Sequence, residues 1–216
     1  MADGPGLRER KKQRTKETIR QAAMRLFMER GFDGVTVAEV AEAAEVAKVT
    51  LFKYFPTKES LVLEAAADDG PAPIVAARPP GTTPVAALRA HYRAFAAAPG
   101  SYPTLGSEDE VIRWMRVITD SPVLMAGMHR LLDEQRDELA LVLAAERGRE
   151  PGCEPGDLTP SLVAAQITGT VLMLKAGFFE FLVRGGSMAD AGAYLARNVE
   201  HAFDLLENGI GHLYPR

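Results

Sequence analysis

An all-α fold is predicted by three features of the chain. Apolar residues recur at three- and four-residue spacing, and no stretch alternates with period 2 while enriched in β-branched residues, so no sheet is expected. Ser or Thr, followed by Pro or by an acidic residue three positions on, opens one segment after another, and these are helix-start signals. Between the apolar segments lie Gly and Pro stops, the longest being the Pro/Gly-rich stretch from Asp69 to Thr83, which reads as a linker. Nine helices are expected, four before that linker and five after it.

The first helix is expected from near Thr15. Its Ile19, Ala22, Ala23, Leu26 and Phe27 fall on one face, and Gly31 ends it. Thr36-Val-Ala-Glu39 is a capping box that starts the second helix, with Val37, Val40, Ala41 and Ala44 inward. A short break at Glu45–Ala47 precedes a third helix. It runs to about Phe55, because Pro56 disfavours helical geometry just before it. Thr57 is placed to cap a fourth helix carrying Leu61, Val62 and Ala65. Beyond the linker, Thr83-Pro84, Ser121-Pro122 and Thr159-Pro160 repeat one device, a hydroxyl cap followed by Pro at the first helical position. Ser107-Glu-Asp-Glu110 offers another capping box. Ser187-Met-Ala-Asp190 opens the last helix after the Gly185-Gly186 stop.

The 216 residues are 47% hydrophobic and 25% charged, a composition typical of a soluble globular protein with room for a sizeable core. Cys153 is the sole cysteine, which excludes an internal disulfide and suits a reducing cytoplasm. The basic N-terminus is not followed by an apolar run, so no signal peptide is expected. The apolar stretches read as shorter than the ~20 residues of a membrane span. His91, His129, His201 and His212 lack metal-ligand spacing, and Cys153 has no local partner, so neither metal nor cofactor is expected. With no phosphate-binding Gly loop and no G-x-S-x-G, an enzyme is not expected either.

Net charge is −4, but it is unevenly spread. Residues 1–60 hold 12 Lys+Arg against 9 Asp+Glu, and the remainder holds 13 against 20. In the first segment Arg8, Arg10, Lys11, Lys12, Arg14, Lys16 and Arg20 face only Glu9 and Glu17. Such a basic arm, over residues 1–12, is either a phosphate-binding element or a solvated tail.

Residues 31–61 arbitrate between those readings. Two short helices joined by a tight turn form a helix-turn-helix over about 36–55, whose second helix enters the major groove of DNA. Leu51 and Phe55, at i and i+4, point inward, while Lys48 and Thr50 lie on the exposed side. From Gln13 to Pro73 the chain resembles the TetR family of bacterial regulators. The resemblance rests on Arg30-Gly31-Phe32, Thr36, Val40-Ala41, Ala44, Thr50-Leu51-Phe52, Tyr54-Phe55, Lys58-Glu59 and Leu61. It implies a DNA-binding domain over 13–73. There Thr36, Tyr54 and Lys58 anchor phosphates, and Lys48, Val49 and Thr50 reach base edges. Arg14, Val37, Ala47 and Lys53 complete the expected contact set. The chain departs from the family pattern at Glu45, often Gly; Ala47, usually Ser or Thr; Val49, often Gly; and Phe52, often Tyr. The fold therefore transfers from the family and the operator sequence does not.

Residues 84–216 are expected to dimerise and to bind an effector, as the resemblance implies. The helix from Pro160 to Arg184 spaces Ala165, Gly169, Met173 and Gly177 four apart, and small residues of this kind permit close approach of a second backbone. With Leu195, Val199 and Phe203 of the last helix they form the expected homodimer interface, which would also serve two half-sites about 34–36 Å apart. His91, Tyr92, Phe95, Trp114, Met115, Met125, Met128, His129, Phe178 and Phe179 are candidates to line a pocket for a hydrophobic or aromatic small molecule. The reading is a cytoplasmic one-component repressor released from a palindromic operator by an effector. Two alternatives stay open: an activator or partner-sensing regulator of the same fold, and an all-helical binding protein or enzyme with a vestigial helix-turn-helix.

Overall fold

The computed structural model describes residues 6–67, 70–99, 108–147 and 156–209. Among these, ten helices and no strand are present: α1 (Leu7–Arg30), α2 (Val37–Ala43), α3 (Lys48–Tyr54), α4 (Ser60–Ala67), α5 (Pro71–Ala76), α6 (Pro84–Ala97), α7 (Glu108–Thr119), α8 (Pro122–Arg147), α9 (Thr159–Val183) and α10 (Met188–Asn208). The tenth is α5, inside the expected linker. Pro71 sits at its first turn, where a missing N–H is harmless, and Ala72 and Val75 are buried. The Pro-rich composition therefore concealed a short packed helix. Ser107, Cys153 and His212 lie outside the described residues, as do the side chains of Arg8 and Ala65.

The start of α1 is a second correction. It begins at Leu7 rather than Thr15, because Arg, Lys, Gln and Glu are strong helix formers even without an apolar face. Residues 7–12 of the expected basic arm are thus the first turns of α1. Among the expected caps, Thr83 Oγ1 accepts from the Ala86 N–H at 3.1 Å, Ser121 Oγ from the Leu124 N–H at 3.4 Å, and the Ser187 hydroxyl oxygen from the Asp190 N–H at 3.1 Å. Thr159 does not cap α9. It is the first helical residue, and its N–H and hydroxyl donate to the Asp157 carboxylate at 2.9 and 2.6 Å.

The chain clusters into two compact units. The first comprises Met1–Asp68 and Arg113–Met128, and the second Asp69–Ile112 and His129–Arg216, so each unit draws on two separate stretches of the chain. The first unit is built around α1. Ile19, Ala23 and Phe27 are fully buried, as are Val40, Leu51 and Phe55 of the helix-turn-helix. Lys16 ties α1 to α4 through Glu64 at 2.8 Å.

In the second unit α10 packs along both α6 and α9. Leu195, Val199 and Phe203 are 0–2% exposed, filling this seam with Leu88 and Tyr92 of α6. They were expected at a dimer face and are core instead: the apolar side of α10 is consumed within its own chain. At the rim, Arg89 bonds Asp204 at 2.8 Å and Glu207 at 2.7 Å, and Arg93 pairs with Glu200. The 25-residue α9 is long and apolar enough to cross a membrane, contrary to the sequence expectation. Ala164, Ile167, Val171, Leu174, Phe178 and Leu182 are buried along it, which identifies those apolar residues as core.

Gly192 shows how close α6 and α10 come. A Cβ built there would lie 2.7 Å from the Ala96 carbonyl oxygen and 2.9 Å from Pro99. A backbone oxygen has little freedom to yield, so Gly192→Ala should destabilise the protein by about 1–2 kcal/mol, despite Ala's better helix propensity. Chemical denaturation checks this; an unchanged or raised midpoint would show that the seam can open at no cost.

Candidate nucleic-acid interface

The site is assembled from the N-terminus of α2 to the C-terminus of α3. At its start the capping box forms as predicted. The Glu39 N–H donates to Thr36 Oγ1 at 3.3 Å, and Glu39 Oε2 accepts from the Thr36 N–H and hydroxyl, both at 2.7 Å. Arg30, from the end of α1, donates to Glu39 Oε1 at 2.8 Å. These donors, the Thr36 backbone N–H first, hold the Glu39 carboxyl down to about 2. The Thr36 hydroxyl hydrogen is thus committed to Glu39 rather than pointed outward toward a phosphate.

The turn between the helices is made by Glu45. Its φ of 53° is in the left-handed region, the only such non-glycine among the described residues. The Val46 N–H closes back onto the Ala41 carbonyl at 3.0 Å, a Schellman-type ending that normally recruits Gly. A side chain there costs on the order of 1 kcal/mol, which the surrounding packing offsets. Ala47 precedes α3 with no side-chain cap, as its chemistry requires.

The α3 helix is amphipathic over only seven residues. Leu51 and the following Phe55 are 0% exposed, whereas Val49 is 82% and Phe52 40% exposed. Ala47, Lys48 and Lys53 are exposed with them, and Thr50 and Tyr54 are half-buried. Of the expected base readers, Lys48 and Val49 are exposed and Thr50 is half-buried. Arg14 is exposed on α1, and Val37 is half-buried on α2. Lys58 holds a double position: its ammonium lies 4.2 Å from the Phe32 ring centroid and 5.9 Å from that of Phe27. It is a cation seated on the aromatic core of the unit, worth about 0.5–2 kcal/mol in such geometry. Phe52 is the residue the sequence reading undervalued. It departs from the family's frequent Tyr, and it is an exposed ring with the Lys48 ammonium 5.9 Å from its centroid.

In the second unit, five of the expected pocket residues do come together. His91, Tyr92, Phe95, Phe178 and Phe179 line a cavity of about 20 Å³ with Lys175 and Leu195. Lys175 was missed; its signal was a lone charge one turn before two phenylalanines. Trp114, Met115, Met125 and Met128 belong to the first unit, and His129 is exposed, so none of these five joins that cavity. Of the small-residue stripe, Ala165, Gly169 and Met173 are exposed along a groove also lined by Tyr194, Asn198 and His201. Gly177 differs: a Cβ built there would lie 3.2 Å from the Tyr194 ring of the same chain, so the close neighbour that explains this glycine is internal.

The capping network titrates. A carboxyl depressed to about 2 favours the native state above its ordinary value of 4.5 and loses that contribution as pH falls toward 2. The stability difference between wild type and Glu39→Gln should be constant above about pH 5 and shrink below it. Denaturation midpoints across that range test this, and a difference independent of pH would mean that Glu39 is not held by the network.

Comparison with known proteins agrees with this geometry. The family model described as bacterial regulatory proteins, tetR family, matches residues 19–65, from the core of α1 through α4. The chain is 32% identical over 149 residues to the HTH-type transcriptional regulator TcmR of Streptomyces glaucescens, covering 68% of this chain and 66% of that one. It is 31% identical over 142 residues to the HTH-type transcriptional regulator RutR of Escherichia coli (strain K12), covering 64% and 65%. The matched segment thus spans about two thirds of the length of each relative. Its fold is shared with NalD, the secondary repressor of the MexAB-OprM multidrug efflux pump in Pseudomonas aeruginosa, at a TM-score of 0.53 and 17% identity, covering 89% of this chain and 97% of that one. Helix-turn-helix, aromatic core and sequence likeness coincide on the same residues, and the chain belongs to the TetR family of bacterial regulatory proteins.

Proposed function

We propose that the protein is a cytoplasmic, homodimeric, one-component transcriptional regulator that represses from a palindromic operator and is released by a small-molecule effector. The observation that carries this is α3: it presents Lys48, Val49 and Lys53 outward, with Thr50 half-buried beside them, from a helix locked by Leu51 and Phe55. Lys48, Val49 and Thr50 read bases, whereas Tyr54, Lys58 and Arg14 hold phosphates. Thr36, Val37, Ala47 and Lys53 flank them. Selection of full-length protein on random duplexes should enrich a palindrome; a failure to enrich one would overturn the regulatory reading. On the enriched duplex, Tyr54→Phe and Lys58→Ala should weaken binding on all sequences alike, Lys58→Ala with a salt slope shallower by about 1. Thr50→Ala should change the preferred sequence. Uniform loss from all three would refute this division of roles.

Dimerisation is assigned to the exposed face of α9 and α10. Ala165, Gly169 and Met173 line its groove, and a Cβ at Gly169 would meet nothing within 4 Å. Met173 is 63% exposed and Leu162 59%, apolar area that a second copy would cover. Met173→Glu should shift sedimentation from dimer to monomer, while an unchanged dimer would relocate the interface.

The effector site is assigned to the cavity among Tyr92, Phe95, Lys175 and Phe178. Its aromatic lining suits a hydrophobic or aromatic compound. At about 20 Å³ it has room for little more than a water molecule, so an effector must enlarge it. That small volume also favours a second reading, in which a protein partner is sensed instead. Thermal-shift screening separates the two, because a ligand that binds the folded state raises the midpoint.

A further inference from the structure

Val49 and Phe52 are the apolar members of the recognition surface. Neither can donate or accept a hydrogen bond, yet both stand on the seven-residue helix assigned to base reading. They account for two of the eight exposed large apolar residues among those described. Exposure of 82% and 40% rules out a core role for them in this chain. Three positions apart, they share one side of α3, with Cβ atoms about 5–6 Å from one another. The Lys48 ammonium near the Phe52 ring brings cation and ring to the same surface. Lys53 adds a second exposed cation on the same helix. The surroundings are therefore suited to a polyanion, while the two side chains themselves are suited to an apolar group.

Within the major groove one base offers such a group, the C5-methyl of thymine; the other base edges present hydrogen-bond donors and acceptors there. We propose that Val49 and Phe52 form an apolar reading edge for thymine methyl groups, directing each operator half-site toward thymine at two positions. Base pairs rise about 3.4 Å per step, so a pair of side chains at this spacing addresses positions one or two steps apart. Phe52 thereby acts as a specificity-determining residue, and Val49 becomes a methyl reader rather than a general contact. The inference rests on the DNA-binding reading above and adds the chemical group that is read.

The test replaces thymine by deoxyuridine, one position at a time, in the duplex enriched by the full-length protein. This removes the methyl and leaves every hydrogen-bonding group in place. At two positions per half-site the replacement should weaken binding about fourfold, the cost of one lost methyl contact. Val49→Ala should abolish the effect at one of these positions and Phe52→Ala at the other, since both substitutions are on exposed side chains and leave the core intact. An enriched duplex that binds equally with and without its methyls overturns the inference while the regulatory reading stands. The same holds if the methyl effect survives in both variants. Failure to enrich any duplex removes the regulatory reading, and the inference with it.

Discussion

The burial of Leu51 and Phe55 in the core of the first unit is the constraint on which the candidate interface depends. A seven-residue helix is far too short to persist in water alone. Two fully buried side chains, each worth about 1.5–3 kcal/mol of transfer free energy, hold α3 against the first unit and fix its rotation. Once that rotation is set, Lys48, Val49, Phe52 and Lys53 have no direction left but outward. Recognition chemistry and core packing are therefore two faces of one short helix.

The elements around α3 serve this placement by local electrostatics and hydrogen bonding. Arg30 ends α1 and reaches Glu39, which in turn closes the capping box on Thr36. One carboxylate thus links the end of the first helix to the start of the second. The left-handed Glu45 then turns the chain into α3 at a conformational cost that Gly would avoid. Lys58 closes the far side, its ammonium over the Phe32 ring. A residue expected only as a phosphate contact is also part of what keeps the unit together, because a long amphipathic side chain can pack and present charge at once.

The second unit is organised by α10, whose apolar side is divided between α6 and α9. Leu195, Val199 and Phe203 meet Leu88 and Tyr92 in this seam, and Arg89 and Arg93 clamp its acidic rim through Glu200, Asp204 and Glu207. With those residues spent internally, the surface proposed for a second copy is narrowed to small residues and Met173 on α9, beside Tyr194, Asn198 and His201. The aromatic cluster centred on Phe178, whose ring centroid lies 5.5 Å from those of Phe95 and Phe179, packs tightly enough to leave only a small void.

Local chemistry was legible because it acts over a few residues: the capping box at Thr36, the stop at Gly31, the inward pair Leu51 and Phe55, the strained turn at Glu45. Each depends on backbone geometry or helical period alone, so the sequence by itself determined the all-helical class and the helix-turn-helix, while its resemblance to known regulators pointed to the family. Its misreadings arose where composition and function diverge. A Pro-rich run hid α5, and a polar run hid the start of α1. Which chain an apolar face packs against is not written in its period. The tertiary structure alone decided that Leu195, Val199 and Phe203 belong to the core, that Gly177 makes room for Tyr194, and that Phe52 stands exposed beside Lys48. These outcomes depend on residues distant in sequence competing for the same surface, and only the folded chain settles which of them occupies it.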